Sequence, residues 1–231
     1  MTPLHRSRAH AFVADLDAPA LDADDRHHFE RVLRLARGEP VTVTDGRGRW
    51  RPCAFGPTLE PVGAVEVELR PAPAVAVAFA LVKGDRPEWT VQKLTELGVD
   101  TIIPFHARRS VVHWAGDRAV RHIGRLRRVA REAAMQSRRT WLPDVADITS
   151  FDAVAGRPGA LLAERDGRAP AAGDALVLVG PEGGWDEDER ARGLPTVGLG
   201  PTVLRADTAA IAVGVLLTAL RPGGALTAKG G

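Results

Sequence analysis

The strongest constraint on the fold is an alternation of short apolar runs with helix-forming segments that begins near residue 74. Residues 75–82 are apolar without interruption, which is typical of a strand buried on both faces of a sheet. Pro87 favours the first turn of a helix that ends at Gly98. Further short strands are predicted at residues 101–105, 160–163, 175–180 and 196–199. This alternation indicates an α/β domain with a largely parallel sheet.

Two further helices are predicted in the same region. One runs from residue 117 to about residue 138, and an apolar one covers residues 208–220 with Asp207 or Thr208 as its N-cap. Residues 221–223 should end the second helix, and we expect a frayed tail from Gly224 onward.

A β-rich segment precedes the α/β domain. Residues 41–44 lead into a hairpin-type turn at residues 45–48, and residues 50–55 and 62–69 are further strand candidates. Residues 24–35 are predicted to be helical, with Gly38 as the stop. Together these elements fit a small barrel-like module. The stiff segment 70–73 is the candidate boundary, so we predict a first domain at residues 1–70 and a second at residues 74–231.

The composition argues against several classes of protein. No apolar run is long enough to span a bilayer, and no signal-peptide core follows the basic N-terminus, so we expect a cytoplasmic protein. Cys53 is the only cysteine among 231 residues, which rules out an internal disulfide and makes a cysteine-based metal site improbable. No other feature supports a metal.

Positive charge is concentrated in one stretch of the chain. Residues 106–139 contain ten arginines and two acidic residues, Asp117 and Glu132. Four of the arginines recur at helical spacing and share one face: Arg118, Arg121, Arg125 and Arg128. The scarcity of balancing acids favours contact with a nucleic acid over the alternative of a solvated helix face.

Common nucleotide-binding and hydrolase signatures are absent. The sequence contains no Gly-x-x-x-x-Gly-Lys-Ser/Thr motif, which disfavours a P-loop nucleotide hydrolase. Residues 198–200 begin like a dinucleotide-binding motif, but Val203 replaces its last glycine. No serine lies in a Gly-x-Ser-x-Gly elbow.

Two glycine-centred loops follow predicted strands and are candidate ligand sites. The first, residues 180–184, contains three glycines, a proline and Glu182, and an ordinary strand-to-helix turn is the alternative. The second, residues 199–210, offers backbone groups beside apolar side chains, a mixture that suits a flat adenine ring. For Arg205 a surface salt bridge with Asp207 is as plausible as a functional role.

Several motifs in one order resemble the RsmE family. Its catalytic domain is matched by residues 83–86, 88–89, 92–99, 132–139, 180–184 and 199–205, and its N-terminal module by residues 27–28, 31–34 and 45–48. These enzymes are bacterial 16S ribosomal RNA uridine-N3 methyltransferases of the SPOUT superfamily. The similarity spans almost the whole chain.

The resemblance implies features that composition does not reveal. It implies a deep C-terminal trefoil knot that holds S-adenosylmethionine, a PUA-like RNA-binding β-barrel at the N-terminus, and a homodimer with the cofactor pocket near the subunit interface. The chain departs from the family pattern at Met135, Trp185 and residues 206–208. Asp207 stands where the family has a longer carboxylate, which puts in doubt any role that needs that length.

The resemblance and the loops together give three sets of site residues. The expected cofactor contacts are Leu162, Val179, Gly180, Pro181, Glu182, Gly183, Leu199, Gly200, Val203, Leu204 and Thr208. The catalytic candidates are Arg138, Arg205 and Glu182. The expected RNA contacts are His28, Arg31, Arg34, Arg121, Arg125 and Arg128.

The roles of the catalytic candidates stay open at this point. An arginine could stabilise the uridine anion and a carboxylate could accept the N3 proton, but Glu182 is equally suited to fixing the loop. Two other functions remain possible: a SPOUT enzyme that acts on another RNA, and a non-catalytic RNA-binding or ribosome-assembly factor.

Overall fold

The structure is a computed structural model that describes residues 2–222 and divides into two compact units. The first unit comprises Met1–Arg70 and Arg131–Leu142, and the second comprises Pro71–Ala130 and Pro143–Gly231. The two-domain division predicted from the sequence did not include the return of residues 131–142 to the first unit. The last helix ends at Leu220, as predicted, whereas Gly223 and the predicted tail from Gly224 lie outside the described residues.

The first unit is built on a five-stranded sheet. Its elements are α1 (Pro3–Arg6), β1 (Ala9–Phe12), α2 (Ala23–His27), β2 (Pro40–Thr44), β3 (Arg49–Ala54), β4 (Glu60–Pro61) and β5 (Glu66–Val67). The strand order is β1-β2-β3-β4, and β5 pairs with β3. β1 runs parallel to β2, whereas the other pairings are antiparallel.

The hairpin predicted at residues 45–48 is confirmed. β2 and β3 pair from Pro40↔Ala54 to Thr44↔Trp50, and the turn between them places Gly46 and Gly48 at positive φ. A Cβ on Gly48 would lie 2.6 Å from the Glu68 carbonyl oxygen, so the turn leaves no room for a side chain there. By contrast, the single strand predicted at residues 62–69 is reduced to Glu66–Val67.

The helix predicted at residues 24–35 is interrupted. After α2 the backbone forms a π-helical turn at His28–Val32, and Arg34 then adopts a left-handed conformation with φ of 52°. Such a conformation ends a helix, which is why the segment stops before the glycine that the sequence indicated.

Residues 131–142 belong to the first unit because several of their side chains are buried or paired there. Met135 packs in its apolar core. Arg131 forms ion pairs with Asp22 and Asp25, and Asp25 is buried. The Nε2 of His10 donates to the carbonyl oxygen of Arg139 at 3.1 Å.

The second unit is an α/β structure whose seven strands are all parallel to their neighbours, as the sequence predicts. Its strands are β6 (Ala76–Ala80), β7 (Thr101–His106), β8 (Asp144–Val145), β9 (Thr149–Ser150), β10 (Ala160–Arg168), β11 (Leu176–Val179) and β12 (Thr196–Val197). The order is β12-β10-β11-β6-β7-β8, and β9 pairs with β7. Its helices are α3 (Arg86–Glu96), α5 (Phe151–Ala155), α6 (Glu187–Arg190) and α7 (Ala206–Leu220); a further helix, α4 (Gly116–Gln136), has residues in both units.

Both faces of this sheet are covered, which explains the uninterrupted apolar run of β6. Val77 and Phe79 point into one apolar cluster with residues of α3, α4 and α7, whereas Ala78 and Ala80 point into another with α5. Burial of a strand on both faces removes the polar alternation that a half-exposed strand would show.

Two element boundaries differ from those predicted. β10 extends to Arg168, which still pairs with Val197 of β12 after a bulge, so charged residues continue the strand past residue 163. The N-cap of α7 is Arg205 rather than Asp207 or Thr208, and no side chain caps that helix. Within residues 2–222, no helix combines the length and apolar character needed to cross a membrane.

Candidate cofactor site

A cavity of about 240 Å³ opens in the second unit beside the middle of β10 and at the carboxyl ends of β11 and β12. Its lining comes from the middle of β10, the end of β11, the loops after β11 and β12, and the helices α6 and α7: Ala163, Glu164, Arg165, Val179, Gly180, Pro181, Glu182, Gly184, Trp185, Arg190, Leu199, Gly200, Thr202, Val203, Leu204, Ala206 and Ala209. The carboxyl ends of parallel strands are where open α/β sheets bind ligands. The two glycine-centred loops predicted from the sequence therefore form opposite parts of one site.

The loop after β11 packs against the buried ring of Trp185. Its indole Nε1 donates to the carbonyl oxygen of Ala163 at 3.1 Å, and its ring stacks on Phe105 with centroids 6.2 Å apart. A Cβ on Gly180 would lie 3.1 Å from the Trp185 ring. Position 180 therefore needs a glycine so that the backbone can lie against the buried indole.

The loop after β12 contributes apolar surface and open backbone. Gly200 has φ of 131°, and a Cβ there would meet nothing within 4 Å. The Val203 side chain is 83% exposed although it lines the cavity, and Leu199 and Leu204 are half-buried beside it. Such a surface of backbone groups and aliphatic side chains can cover a flat heterocycle.

Charged side chains form the remaining part of the lining. Glu182 accepts a hydrogen bond from Arg86 Nη1 at 2.8 Å, and Glu164 pairs with Arg190 at 2.9 Å. Arg165 donates to the carbonyl oxygen of Pro201 at 3.5 Å. The cavity thus offers both signs of charge next to apolar surface, which fits the adenosine, ammonium and carboxylate parts of S-adenosylmethionine.

The first-turn residues of α7 lie beside this cavity. No ion pair joins Arg205 to Asp207 in the described structure, so the salt bridge considered from the sequence is not formed. Asp207 Oδ1 is buried and has no hydrogen-bond partner within residues 2–222. Arg205 is exposed, and its guanidinium has no hydrogen bond or ion pair with another described residue.

Eight of the eleven expected cofactor contacts line the cavity. Leu162, Gly183 and Thr208 do not. Leu162 is buried inside the sheet, Gly183 faces Arg109, and Thr208 is exposed on α7.

Several lining residues were missed by the sequence reasoning. Glu164 and Arg165 were missed because the strand was predicted to end at residue 163. Trp185 was considered only as a departure from the family pattern, and Arg190 was given no role. Arg86 lies in a motif that matches the family, at residues 83–86, but the sequence indicates no role for it; it pairs with Glu182 without lining the cavity. The charged second half of β10 carries no apolar signal that marks it as strand.

The comparisons with known proteins agree with this geometry. The family described as "RNA methyltransferase domain" matches residues 70–218. Proteins named ribosomal RNA small subunit methyltransferase E are 35% identical in Mycobacterium bovis, with 85% of this chain and 86% of that protein covered, and 32% identical in Bacillus subtilis, with 82% and 85% covered. This chain belongs to the RsmE family of RNA methyltransferases. The resemblance identified from the sequence is thereby confirmed.

Solved structures support the fold of this RsmE-family chain. A ribosomal RNA small subunit methyltransferase E from Neisseria gonorrhoeae, bound to S-adenosyl methionine, is 26% identical with a TM-score of 0.73 over 90% of this chain and 95% of that chain. A methyltransferase from Legionella pneumophila is 24% identical with a TM-score of 0.81 over 93% of this chain and 98% of that chain. The second likeness bears on the fold alone.

The three catalytic candidates have different surroundings in this RsmE-family chain. Arg138, in the first unit, donates to four carbonyl oxygens, those of Met135, Gln136, Ser7 and Arg8. Burial lowers the pKa of its guanidinium from the usual value. Glu182 is paired with Arg86, whereas Arg205 is unpaired, so only Arg205 presents an uncommitted charged group.

The expected RNA contacts are all exposed. His28, Arg31 and Arg34 lie in or just after the π-helical turn of the first unit. Arg121, Arg125 and Arg128 lie on the part of α4 that belongs to the second unit. Arg125 is paired with Glu88 at 3.1 Å, whereas Arg121 and Arg128 have no ion-pair partner among the described residues. No group of three or more potential metal ligands occurs among residues 2–222.

Proposed function

We propose that this chain uses S-adenosylmethionine to methylate N3 of a uridine in 16S ribosomal RNA of the small subunit. The single observation that carries the proposal is the cavity formed by the loops 180–184 and 199–204 at the carboxyl ends of two parallel strands. Membership of the RsmE family and the S-adenosyl methionine bound to the Neisseria gonorrhoeae relative support this cofactor. A cytoplasmic location, where ribosomal subunits are assembled, is part of the proposal.

Catalysis would depend on positioning and on charge. When bound, S-adenosylmethionine supplies an electrophilic methyl group on a sulfonium, and the nucleophile must approach in line with it. Uridine N3 must lose its proton and lies on the pairing edge of the base, so the target nucleotide has to be unpaired or flipped out.

Among the catalytic candidates, Arg205 is best suited to stabilise the uridine anion. Its guanidinium is exposed and unpaired at the start of α7, next to the cavity. Arg138 is engaged by backbone carbonyl oxygens, which supports a structural role. The Glu182 carboxylate forms an ion pair with Arg86, which weakens it as a proton acceptor. The Oδ1 atom of Asp207, which has no hydrogen-bond partner among the described residues, is a further candidate for that step.

RNA recognition would use both units. The first unit would act as a PUA-like RNA-binding barrel through His28, Arg31 and Arg34, and the exposed arginines of α4 would contact phosphates. The exposure of all these side chains supports the proposal.

We further propose a C-terminal trefoil knot and a homodimer, both implied by the RsmE resemblance. The dimer is supported by α7, whose outer side carries apolar residues that are only half-buried, including Ile211 and Leu216, and Val215, which is 43% exposed. A contiguous apolar patch on a protein surface often marks an interface with a partner. Sedimentation velocity of the wild type and of Val215→Glu tests the dimer, because a charge in an apolar interface should shift the protein to monomers.

Two measurements test the proposed activity. Calorimetric titration should detect S-adenosylmethionine binding, and its absence would leave the alternative of a non-catalytic RNA-binding or assembly factor. Small subunits that lack the modification should then be incubated with protein and cofactor, and their 16S RNA digested for mass spectrometry. Methylation at a carbon or a ribose oxygen, or of transfer RNA alone, would overturn the N3 assignment.

A further inference from the structure

The most informative contact around the cavity joins two loops that are far apart in the sequence. Arg86, the first residue of α3, donates from Nη1 to Oε1 of Glu182 at 2.8 Å. The two side chains are 35% and 43% exposed. Arg86 itself does not line the cavity, whereas Glu182 does.

The loop that carries Glu182 is anchored on its other side by different residues. Trp185 bonds to Ala163, and Arg109 donates from Nη1 to the carbonyl oxygen of Gly183 at 3.2 Å. Within the loop, the amide of Gly184 donates to the carbonyl oxygen of Pro181 at 2.9 Å. Among the described residues the Glu182 carboxylate has Arg86 as its ion-pair partner, so this contact holds the part of the loop that the others leave free.

The pair also sets the charge at the cavity. An isolated carboxylate at this wall would attract a cationic ligand, and a sulfonium loses its positive charge as the methyl group leaves. Attraction to the charged reactant alone would strengthen its binding without lowering the barrier. Pairing with the Arg86 guanidinium cancels most of the attraction between the Glu182 carboxylate and the sulfonium.

We propose that Arg86 is a positioning residue that anchors the 180–184 loop through Glu182 and neutralises its carboxylate beside the cofactor. The inference rests on the proposed function, since it assigns a role toward S-adenosylmethionine. It also accounts for a long cation as the first residue of α3. Pro87, the second residue, favours the helical conformation of the first turn, so the Arg86 side chain extends from a defined position.

The test compares two cofactor forms that differ in charge. Calorimetry should measure dissociation constants for S-adenosylmethionine, a sulfonium cation, and S-adenosylhomocysteine, its neutral thioether product. The proteins to compare are the wild type, Arg86→Gln, Arg86→Lys, Glu182→Gln and the double Gln variant. Arg192→Gln is a matched control, because Arg192 forms an exposed ion pair with Asp152 in the same unit at 3.7 Å.

We expect Arg86→Gln and Glu182→Gln to change the ratio of the affinities for S-adenosylmethionine and S-adenosylhomocysteine in opposite directions. Arg86→Gln leaves a bare carboxylate and should shift the affinity ratio toward the sulfonium by about threefold, the modest size appropriate to a half-exposed pair. Glu182→Gln should shift the ratio toward the thioether by a similar factor. The double variant and Arg86→Lys should return close to the wild-type ratio, and Arg192→Gln should not change it. A ratio that is unchanged in every variant, or that shifts the same way in both single variants, would overturn the proposal.

A second readout separates this proposal from the proposed function. Amide hydrogen exchange needs no cofactor, and the loss of the anchor in Arg86→Gln should speed exchange at Gly184 several-fold relative to Arg192→Gln. Unchanged exchange there would contradict the anchoring role. If the wild type fails to bind S-adenosylmethionine, the proposed function fails, while this exchange measurement still decides whether Arg86 holds the loop.

Discussion

Arg221, the residue after the last helix, donates from Nη2 to Oδ2 of Asp100 at 2.8 Å, and both side chains are more than 90% buried. The same Asp100 oxygen accepts a hydrogen bond from the backbone amide of Val75 at 2.9 Å. The pair therefore connects the end of α7 to the starts of β6 and β7, the central strands of the parallel sheet. Removal of either partner would leave a charge in the interior.

We predict that Arg221→Met destabilises the protein by about 3–5 kcal/mol, because the Asp100 carboxylate would remain buried without its cation. The free energy of unfolding from urea titration measures this. Arg157→Met is the control, since Arg157 is exposed and forms no ion pair with another described residue. Equal stability of the two variants would show that the buried pair contributes nothing.

A second prediction concerns the buried His10 of the first unit. Its Nε2 donates to the Arg139 carbonyl oxygen, so Nδ1 carries no proton and accepts from the Thr42 hydroxyl at 2.8 Å. Burial, with a contribution from Arg138, lowers the pKa of the imidazole to about 4 from 6.5. The unfolded chain therefore binds a proton at a higher pH than the folded chain, so stability is fully present above about pH 6.5 and is lost as the pH falls toward 4.

Between pH 6.5 and pH 5 this group should reduce the free energy of unfolding by about 1.5 kcal/mol. Urea titrations at the two pH values should show that His10→Gln lacks this part of the pH dependence, although it is less stable throughout. An identical slope in variant and wild type would mean that His10 titrates normally. His27→Gln is the control, because His27 is exposed.

The parallel sheet and the two glycine loops could be predicted from the sequence because they depend on local patterns. The apolar run of β6 indicates burial on both faces. Gly180 marks backbone that lies close to the Trp185 ring, and Gly200 marks a positive φ. The cavity itself follows once parallel strands are assumed, since their carboxyl ends meet at one edge.

The other features of the fold and the site could not be predicted, because they depend on contacts between segments that are distant in sequence. The return of residues 131–142 to the first unit rests on Met135, Arg131 and Arg138, whose partners are near the N-terminus. Because α4 continues past residue 130 without a break, nothing in the sequence marks the point at which its side chains begin to contact the first unit. The role of Arg86 was hidden for the same reason, because Glu182 lies 96 residues away.

A third prediction tests the close contact in the first glycine loop. Gly180→Ala would put a Cβ 3.1 Å from the Trp185 ring, which is fixed by its hydrogen bond and by Phe105. Overpacking of about 1–3 kcal/mol should displace the loop and weaken S-adenosylmethionine binding about tenfold. Calorimetry measures the affinity. Gly124→Ala in α4, where a Cβ meets nothing within 4 Å, should leave binding unchanged and raise stability by up to about 1 kcal/mol.

A fourth prediction concerns the exposed arginines of α4. The double variant Arg121→Gln and Arg128→Gln should bind 16S RNA fragments more weakly, and the slope of log affinity against log salt should flatten by about 1.4, the loss of two phosphate contacts. Filter binding at several salt concentrations measures this. Arg157→Gln with Arg192→Gln removes the same charge elsewhere on the second unit, and an equal effect there would indicate a general charge effect rather than an RNA-binding face.

The last prediction distinguishes catalysis from binding at Arg205. Its guanidinium is unpaired at the N-cap of α7, so its removal should leave the fold and the cavity intact. If it stabilises the uridine anion, Arg205→Ala should lower kcat by roughly 100- to 1000-fold, the usual cost of losing one group that acts on developing charge. S-adenosylmethionine affinity should change little, and Arg205→Lys should recover part of the rate. Single-turnover methylation of 16S RNA gives the rate, and calorimetry gives the affinity. A loss confined to cofactor or RNA affinity, with an unchanged single-turnover rate at saturation, would instead assign Arg205 to binding.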